Sequence, residues 1–216
     1  MTDPLETDRK RLFDHLAKTV GEGPTLDAMR RVPRERFVPP PSRTKAYLNI
    51  ALSIGNGQTI SQPQMVAHAT DVLQLRGDEY VLEVGAGSGY QAAVIAELLP
   101  FGSIVAVERI PELVSFCRRN LAACGISNVS VRPAGEILGA PDHAPFDAIL
   151  VSAAAPQVPN TLLAQLKPSG RLVLPVGSFE RQMLTRVSIG SQTPIMEELG
   201  FCSYVPLLGE DAWQVV

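Results

Sequence analysis

The stretch VLEVGAGSGYQAAVIAELL, residues 81–99, decides the fold. Its apolar run ends at Val84, glycines follow at positions 85, 87 and 89, and Gln91 to Leu99 carry apolar side chains at helical spacing. We therefore predict a strand, a tight turn and a helix in direct succession. Glycines let the backbone turn sharply and approach a ligand closely, and the start of the following helix offers unpaired N–H groups.

The spacing of these glycines favours one class of ligand. A dinucleotide-binding turn carries its third glycine one position later, where this chain has Tyr90, so a nicotinamide oxidoreductase is disfavoured. The next strand-like run, SIVAVE, ends at Glu108, 23 residues after Gly85, where a carboxylate can accept hydrogen bonds from both ribose hydroxyls. Such an acceptor suits the adenosine of S-adenosylmethionine. Glu83, beside the turn, can attract the sulfonium and amino groups of that molecule.

Further apolar runs predict the sheet around this turn. The runs NVSVR, FDAILVS and GRLVLPV, together with EYVLEV and SIVAVE, have apolar residues on both faces, as in a parallel sheet covered by helices. A helix is expected over Pro111 to Ala123. Two late runs, Met183 to Ile189 and Phe201 to Leu207, are separated by a short polar and helical stretch, which predicts an antiparallel pair at one edge. The fold class is therefore α/β, a Rossmann-like, mainly parallel seven-strand sheet with an antiparallel C-terminal edge.

The first 60 residues differ from the rest of the chain. Helical patterns cover Asp8 to about Val20 and Leu26 to Arg31, and a proline-rich connection follows from Pro33 to Pro41. We expect a single domain over residues 1–216, with residues 1–60 as a helical and substrate-facing extension. At its end the polar segment QTIS, residues 58–61, leads into a helix opened by Pro63, and Ser61 is well placed to cap that helix.

Composition excludes several classes of function. A formal charge of −3 leaves no basic surface for a nucleic-acid backbone, and no apolar run approaches the roughly 20 residues that cross a bilayer. The N-terminus MTDPLETDRKRL is charged where a signal peptide is apolar. Three scattered cysteines do not form a disulfide framework, so we expect a cytoplasmic protein. The histidines and cysteines lack the spacing of a metal site, and no metal is expected.

Five segments resemble the protein-L-isoaspartate (D-aspartate) O-methyltransferase family. They are RFVPP, IGNGQTISQP, LEVGAGSGYQAAVIA, PFDAILVSAAAPQVPNTLLAQLKPSGRLVLPVG and YVPLL, and the resemblance runs from about Leu26 to Leu208. It implies a class I methyltransferase fold. It also implies methyl transfer from S-adenosylmethionine to the carboxylate of isoaspartyl residues in damaged proteins, after which the ester promotes succinimide formation and repair.

The resemblance also implies roles for individual residues. Ser61 matches the active-site serine, and the cofactor contacts fall on Gln58, Thr59, Ile60, Gly85, Gly87, Gly89 and Glu108. The family's Gly-Asp-Gly segment falls on Ala134, Gly135 and Glu136. The position of its Asp, which contacts the adenine, is thus Gly135, and Glu136 replaces it only if the backbone shifts by about one residue. Ile50 and Ser53 also depart from the family, which commonly has arginine and proline there.

The chemistry implied needs few catalytic groups. A carboxyl group with an unperturbed pKa of about 3.9 is ionised at neutral pH, so no general base is required. Ser61 is expected to orient the carboxylate by a hydrogen bond. The backbone around Ala51 to Gly57 and Val205 to Leu208 is expected to pair with the peptide substrate. Two alternatives stay open: a related methyltransferase for another carboxylate, such as one in a modified peptide, or a catalytically silent cofactor-binding homologue.

Overall fold

The computed structural model describes residues 3–190 and 193–214. The expected domain over residues 1–216 therefore has its first two and last two residues outside the described ranges, as has part of the polar stretch between the two late strands. The helices of the described residues are α1 (Pro4–Thr19), α2 (Pro24–Arg31), α3 (Pro63–Asp71), α4 (Tyr90–Glu97), α5 (Pro111–Ala123) and α6 (Asn160–Leu163). The strands are β1 (Leu52–Gly55), β2 (Gln58–Ile60), β3 (Tyr80–Val84), β4 (Ser103–Glu108), β5 (Val129–Pro133), β6 (Phe146–Val151), β7 (Leu166–Gly177), β8 (Gln182–Ser188) and β9 (Ile195–Cys202).

Seven of these strands form the central sheet, in the order β5-β4-β3-β6-β7-β8-β9. The pairs from β5 to β7 are parallel, and β8 and β9 add antiparallel pairs. This confirms the predicted mainly parallel seven-strand sheet with an antiparallel C-terminal edge. The parallel strands β3, β4 and β6 bring their carboxyl ends to one edge of the sheet, which is where α/β folds bind ligands.

Two hydrophobic cores cover the two faces of the sheet. Alternate residues of one strand point to opposite faces, so Val81 packs into one core and Leu82 into the other. The first core takes in the buried faces of α1 to α5, and the second contains Leu162 of α6 together with Phe146. Both faces of the central parallel strands β3, β4 and β6 are therefore covered, which explains their continuous apolar sequences, whereas the edge strand β5 buries only Val131.

The N-terminal segment extends the helical layer on the first core. Helices α1 and α2 pack against α3, and α2 also packs against α4. Leu16 and Leu26 are 0% and 1% exposed, so these helices are firmly part of the domain. The proline-rich connection forms two short 3-10 helices, Arg34–Phe37 and Pro40–Lys45. Among residues 3–190 and 193–214, none of the helices has the length and apolar character that a membrane crossing requires.

The last strand corrects one prediction. The strand expected over Phe201 to Leu207 lies instead at Ile195–Cys202, and no helical stretch separates it from β8 in the described residues. The sequence MEEL favours a helix locally, but pairing with β8 outweighs that preference, and Arg186 forms an ion pair with Glu197 across the two strands at 2.6 Å. The segment after Cys202 runs beside Ala154 through an isolated bridge at Pro206.

Helix boundaries differ from the predictions by a few residues. Helix α1 begins at Pro4 rather than Asp8, because Asp3 caps it by accepting the N–H of Leu5 at 3.0 Å. Helix α2 begins two residues earlier than predicted, and α4 covers Tyr90–Glu97. Helix α5 has the predicted bounds, Pro111–Ala123.

Candidate functional site

A cavity opens at the carboxyl ends of β3, β4 and β6. The segments that line it are the end of β3 with the glycine turn, the end of β4, the loop after β5, the strand β2, and the chain from Val205 to Gly209. Ten of the eleven residues predicted for the site line this one cavity: Gln58, Thr59, Ile60, Ser61, Glu83, Gly85, Gly87, Glu108, Gly135 and Glu136. The eleventh, Gly89, is not part of its wall.

The glycine turn is fixed to the neighbouring strand. Gly85, Gly87 and Gly89 have φ angles of 86°, 53° and 87°, in the left-handed region that favours glycine. The N–H groups of Gly85 and Ala86 both donate to the carbonyl of Val107, at 2.9 and 3.1 Å. The turn therefore has a single backbone path, and its inner surface forms one wall of the cavity.

Gly89 has a packing role that the sequence did not indicate. It immediately precedes α4, and a Cβ atom at this position would lie 2.7 Å from Cys117 Sγ and 3.4 Å from Leu121 Cγ. Helix α5 thus approaches the turn from behind, and only a glycine leaves room for it. Cys117 is 0% exposed, and burial raises the pKa of its thiol, so it is an apolar packing residue.

Glu108 is a buried carboxylate anchored on one side only. It is 7% exposed and accepts the N–H of Gly87 at Oε2 and the N–H of Ile110 at Oε1, both at 2.9 Å. A carboxylate oxygen has two lone pairs, so each oxygen can accept one more hydrogen bond. Because Glu108 lines the cavity, it can receive two hydroxyl donors from a ligand such as a ribose.

Glu83 is a second buried carboxyl group in the cavity wall. It is 0% exposed, and Ser152 Oγ donates to its Oε1 at 3.4 Å, while Oε2 has no hydrogen-bond partner within the described residues. Burial raises the pKa of Glu83 well above its usual value, and the negative charge of Glu108 adds to that effect, whereas the Ser152 hydrogen bond opposes it. A buried acceptor without a partner favours a ligand that brings a donor or a positive charge.

The polar segment QTIS also lines the cavity. Strands β1 and β2 make an antiparallel hairpin around Asn56 and Gly57, and Ser61 follows β2 directly. The prediction that Ser61 caps the next helix is wrong. Gln62 is the N-cap of α3 and makes no side-chain hydrogen bond there, while the carbonyl of Ser61 accepts from Arg34 Nη2 at 2.8 Å.

Gly135 and Glu136 lie in the loop after β5, and both are exposed. The loop is joined to the site where Ala134 N–H donates to the carbonyl of Glu108 at 2.9 Å. No atom outside its neighbours lies within 4 Å of a Cβ placed on Gly135. A side chain therefore fits at this position, and the glycine is not required by space.

The structure limits the backbone that can pair with a peptide. The carbonyl of Val205 accepts from Ala154 N, and Leu207 N donates to Ala154 O, both at 2.7 Å. These groups of the predicted Val205 to Leu208 segment are therefore used within the chain. Strand β1 belongs to a two-stranded sheet with β2, so its other edge has no strand partner among the described residues.

Some cavity residues were not predicted. Ser152 follows β6 and Tyr90 opens α4, and both line the cavity. The carboxyl end of a central parallel strand was the signal that would have indicated Ser152. The three histidines, His15, His68 and His143, do not line the cavity. Within residues 3–190 and 193–214 no group of three or more His, Cys, Asp or Glu side chains is arranged to hold a metal ion.

Comparison with known proteins gives one consistent family. The sequence model of the family "Protein-L-isoaspartate(D-aspartate) O-methyltransferase" matches residues 7–212. The chain is 47% identical over 212 residues to a protein-L-isoaspartate O-methyltransferase of Methanopyrus kandleri, covering 95% of this chain and 93% of the relative. It is 42% identical to the protein of that name from Methanoculleus marisnigri, covering 98% and 96% of the two chains.

Solved structures agree with the sequence comparison. A protein-L-isoaspartate O-methyltransferase superposes with a TM-score of 0.84 at 28% identity, covering 94% of this chain and 67% of the other. A putative enzyme of that name from Plasmodium falciparum, in complex with S-adenosyl-L-homocysteine, superposes with a TM-score of 0.81 at 23% identity, covering 91% and 96%. These matches show the Rossmann-like class I methyltransferase fold.

The packing of Gly89 gives a stability prediction. We expect Gly89→Ala to lower the free energy of unfolding by about 2 to 4 kcal/mol, because it adds backbone strain and a contact with Cys117 Sγ. Gly125→Ala is the matched control, since Gly125 has φ +71° with nothing within 4 Å of its Cβ, and strain alone is expected to cost about 1 kcal/mol.

Urea denaturation of the double variant tests the cause. Cys117→Ala removes the sulfur atom, so Gly89→Ala should destabilise less in that background than in the native one. The close contact would be contradicted if Gly89→Ala and Gly125→Ala lowered the free energy of unfolding equally. It would also be contradicted if the effects of Gly89→Ala and Cys117→Ala were strictly additive.

Proposed function

The chain belongs to the protein-L-isoaspartate (D-aspartate) O-methyltransferase family, and from this we propose that it methylates the carboxylate of isoaspartyl residues in damaged proteins, with S-adenosylmethionine as the methyl donor. The proposal rests on one observation about the cavity. The glycine turn with Glu108 and the QTIS segment with Ser61 line a single cavity. A nucleoside-binding wall and an acceptor-binding wall are what a transfer between two bound molecules requires.

The residues present fit S-adenosylmethionine. Glu108 has capacity for two ribose hydroxyls, and the partnerless Oε2 of Glu83 suits the amino group and sulfonium of the methionine part. We assign the adenine end to Gly135 and Glu136, and the methionine end also to the backbone of Gly85 and Gly87. Gln58, Thr59 and Ile60, which form β2 and line the same cavity, are also proposed to contact the cofactor.

The reaction asks little acid–base chemistry of this chain. When bound, S-adenosylmethionine supplies an electrophilic methyl group on a positively charged sulfur. The isoaspartyl carboxylate is already ionised at neutral pH, so the chain has only to orient it and to exclude water that would solvate it. Ser61 is proposed to donate its hydroxyl hydrogen to the carboxylate oxygen that is not methylated, which holds the other oxygen toward the cofactor.

The proposal includes the domain organisation, the peptide contact and the location of the protein. We propose that residues 1–60 are an extension of one methyltransferase domain, and that the free edge of β1 in this extension contacts the peptide. We propose a cytoplasmic location, supported by three free cysteines, and no nucleic-acid partner, supported by the net charge of −3.

A paired methylation assay tests the function. Purified chain is incubated with tritiated S-adenosylmethionine and either an isoaspartyl peptide or its twin with a normal aspartyl residue. We expect base-labile label on the isoaspartyl peptide alone. Label only on other carboxylates would instead indicate a related methyltransferase, and label on neither peptide with S-adenosylhomocysteine bound would indicate a silent homologue.

Ser61→Ala tests the role of the serine. We expect kcat for the isoaspartyl peptide to fall roughly 10- to 100-fold, because a hydrogen bond to a charged group is lost. The affinity for S-adenosylhomocysteine, measured by isothermal titration, should stay within about twofold of wild type, since the donated bond is on the acceptor side. Ser115→Ala, at an exposed position of α5, is the matched control and should leave both values unchanged. Unchanged turnover in Ser61→Ala would remove this serine from the mechanism.

The raised pKa of Glu83 predicts that the affinity for S-adenosylmethionine depends on pH. Its pKa is raised by burial, so the carboxyl group is neutral at acidic pH and becomes an anion as the pH rises through that raised pKa. A cationic ligand favours the anion, so S-adenosylmethionine should bind more tightly from mildly acidic to neutral pH and should release protons on binding.

Titration calorimetry in two buffers of different ionisation enthalpy measures this proton release. Glu83→Gln should abolish it and weaken binding, whereas Glu112→Gln, at an exposed position of α5, should not. Proton release that persists in Glu83→Gln would show that another group titrates.

A further inference from the structure

Arg34 is a charged side chain enclosed within the first core. It is the first residue of a 3-10 helix and is 0% exposed. Burial lowers the pKa of Arg34 to about 10, so the guanidinium is still charged at neutral pH. Burying a charge in this way is costly unless its hydrogen bonds are satisfied, and Nη1 has no partner within the described residues. We therefore looked for a role of this buried charge other than packing.

The contacts of Arg34 join three separate parts of the chain. Its Nε donates to the carbonyl of Ala46 at 2.9 Å, and its Nη2 donates to the carbonyl of Ser61 at 2.8 Å. Its Cζ lies 4.9 Å from the centre of the Tyr90 ring, within cation–π range. Tyr90 is 2% exposed and opens α4 directly after the glycine turn.

Ser61 has few other anchors in the chain. It lies after the last residue of β2 and before Gln62, the N-cap of α3, so neither element fixes it by regular pairing. Burial raises the pKa of Tyr204, and a hydrogen bond with the Ser61 side chain opposes that rise. Among the described residues, the bond from Arg34 to the Ser61 carbonyl is the one hydrogen bond to the backbone of this residue.

We propose that Arg34 is a positioning residue, which holds Ser61 at a fixed distance from Tyr90 and hence from the glycine turn. Arg34 does not line the cavity, so it acts through Ser61 and Tyr90 and not on the reacting molecules. The planar guanidinium is required because it reaches two carbonyls and stacks on a ring at once, which an ammonium group cannot do. The role assigned to Ser61 rests on the proposed function.

A double-mutant cycle tests this coupling. We expect Arg34→Lys to lower kcat for the isoaspartyl peptide about tenfold, and to leave the Kd for S-adenosylhomocysteine within about threefold of wild type. If Arg34 acts through Ser61, the variant Arg34→Lys with Ser61→Ala should be no more than about twofold slower than Ser61→Ala alone. Losses that multiply would mean that Arg34 acts independently of the serine and would overturn the proposal.

Arg171 provides a matched control for a partly buried arginine with a purely structural role. Its side chain is 18% exposed and pairs with Glu79 at 3.0 Å, and its hydrogen-bond partners do not line the cavity. Arg171→Lys should lower the Tm, but it should keep the kcat of the folded protein. A fall in kcat at Arg171 equal to that at Arg34 would also overturn the proposal.

Hydrogen exchange measures the same anchoring without turnover. In Arg34→Lys, the amides of residues 58–62 should exchange about tenfold faster than in wild type, while those of α5 should be unchanged. This readout separates the two hypotheses: if wild type does not label the isoaspartyl peptide, the proposed function fails, and exchange still decides whether Arg34 holds Ser61. Unchanged exchange at residues 58–62 would contradict the positioning role.

Discussion

The site depends on the two hydrogen bonds that Glu108 accepts from backbone N–H groups. Gly87 and Ile110 donate to its two oxygens, both at 2.9 Å, and so the glycine turn after β3 is tied to the end of β4. A buried carboxylate needs such donors, and the turn needs a fixed support to keep three left-handed residues in place. Because both donors approach from the protein side, the carboxylate still has acceptor capacity toward the cavity. These two hydrogen bonds thus hold the turn in place and leave Glu108 able to accept both hydroxyls of a ribose.

The second wall of the cavity comes from a different part of the chain. The β1–β2 hairpin and Ser61 precede the sheet in sequence, and they are attached to it through Arg34 and the packing of α2 and α3 on α4. The N-terminal helices therefore do not cover the cavity, but they support the segment that carries the serine. The division suits the proposed chemistry, since the sheet edge holds the cofactor side and the added segment holds the acceptor side.

Local patterns were sufficient to predict most of the fold. The parallel strands β3 to β7 and the turn at Gly85 to Gly89 were predictable, because apolar runs and glycine spacing depend on neighbouring residues only. Strand β9 was misplaced because its sequence favours a helix and only pairing with β8 makes it a strand. The cap assigned to Ser61 was wrong because Gln62, one residue later, is the N-cap of α3. The missing partner of Glu83 and the contact of Gly89 with Cys117 arise from tertiary packing, which no spacing reveals.

A crystal structure of the chain with S-adenosylhomocysteine would test directly whether Glu108 and the glycine turn bind the cofactor. We expect the ligand to lie in this cavity, with its two ribose hydroxyls donating to Glu108 while Gly87 and Ile110 keep their bonds, and with its amino group donating to Glu83. The same structure would show whether Gly135 or Glu136 faces the adenine. Ligand bound outside the cavity, or a ribose that does not contact Glu108, would contradict this role of Glu108.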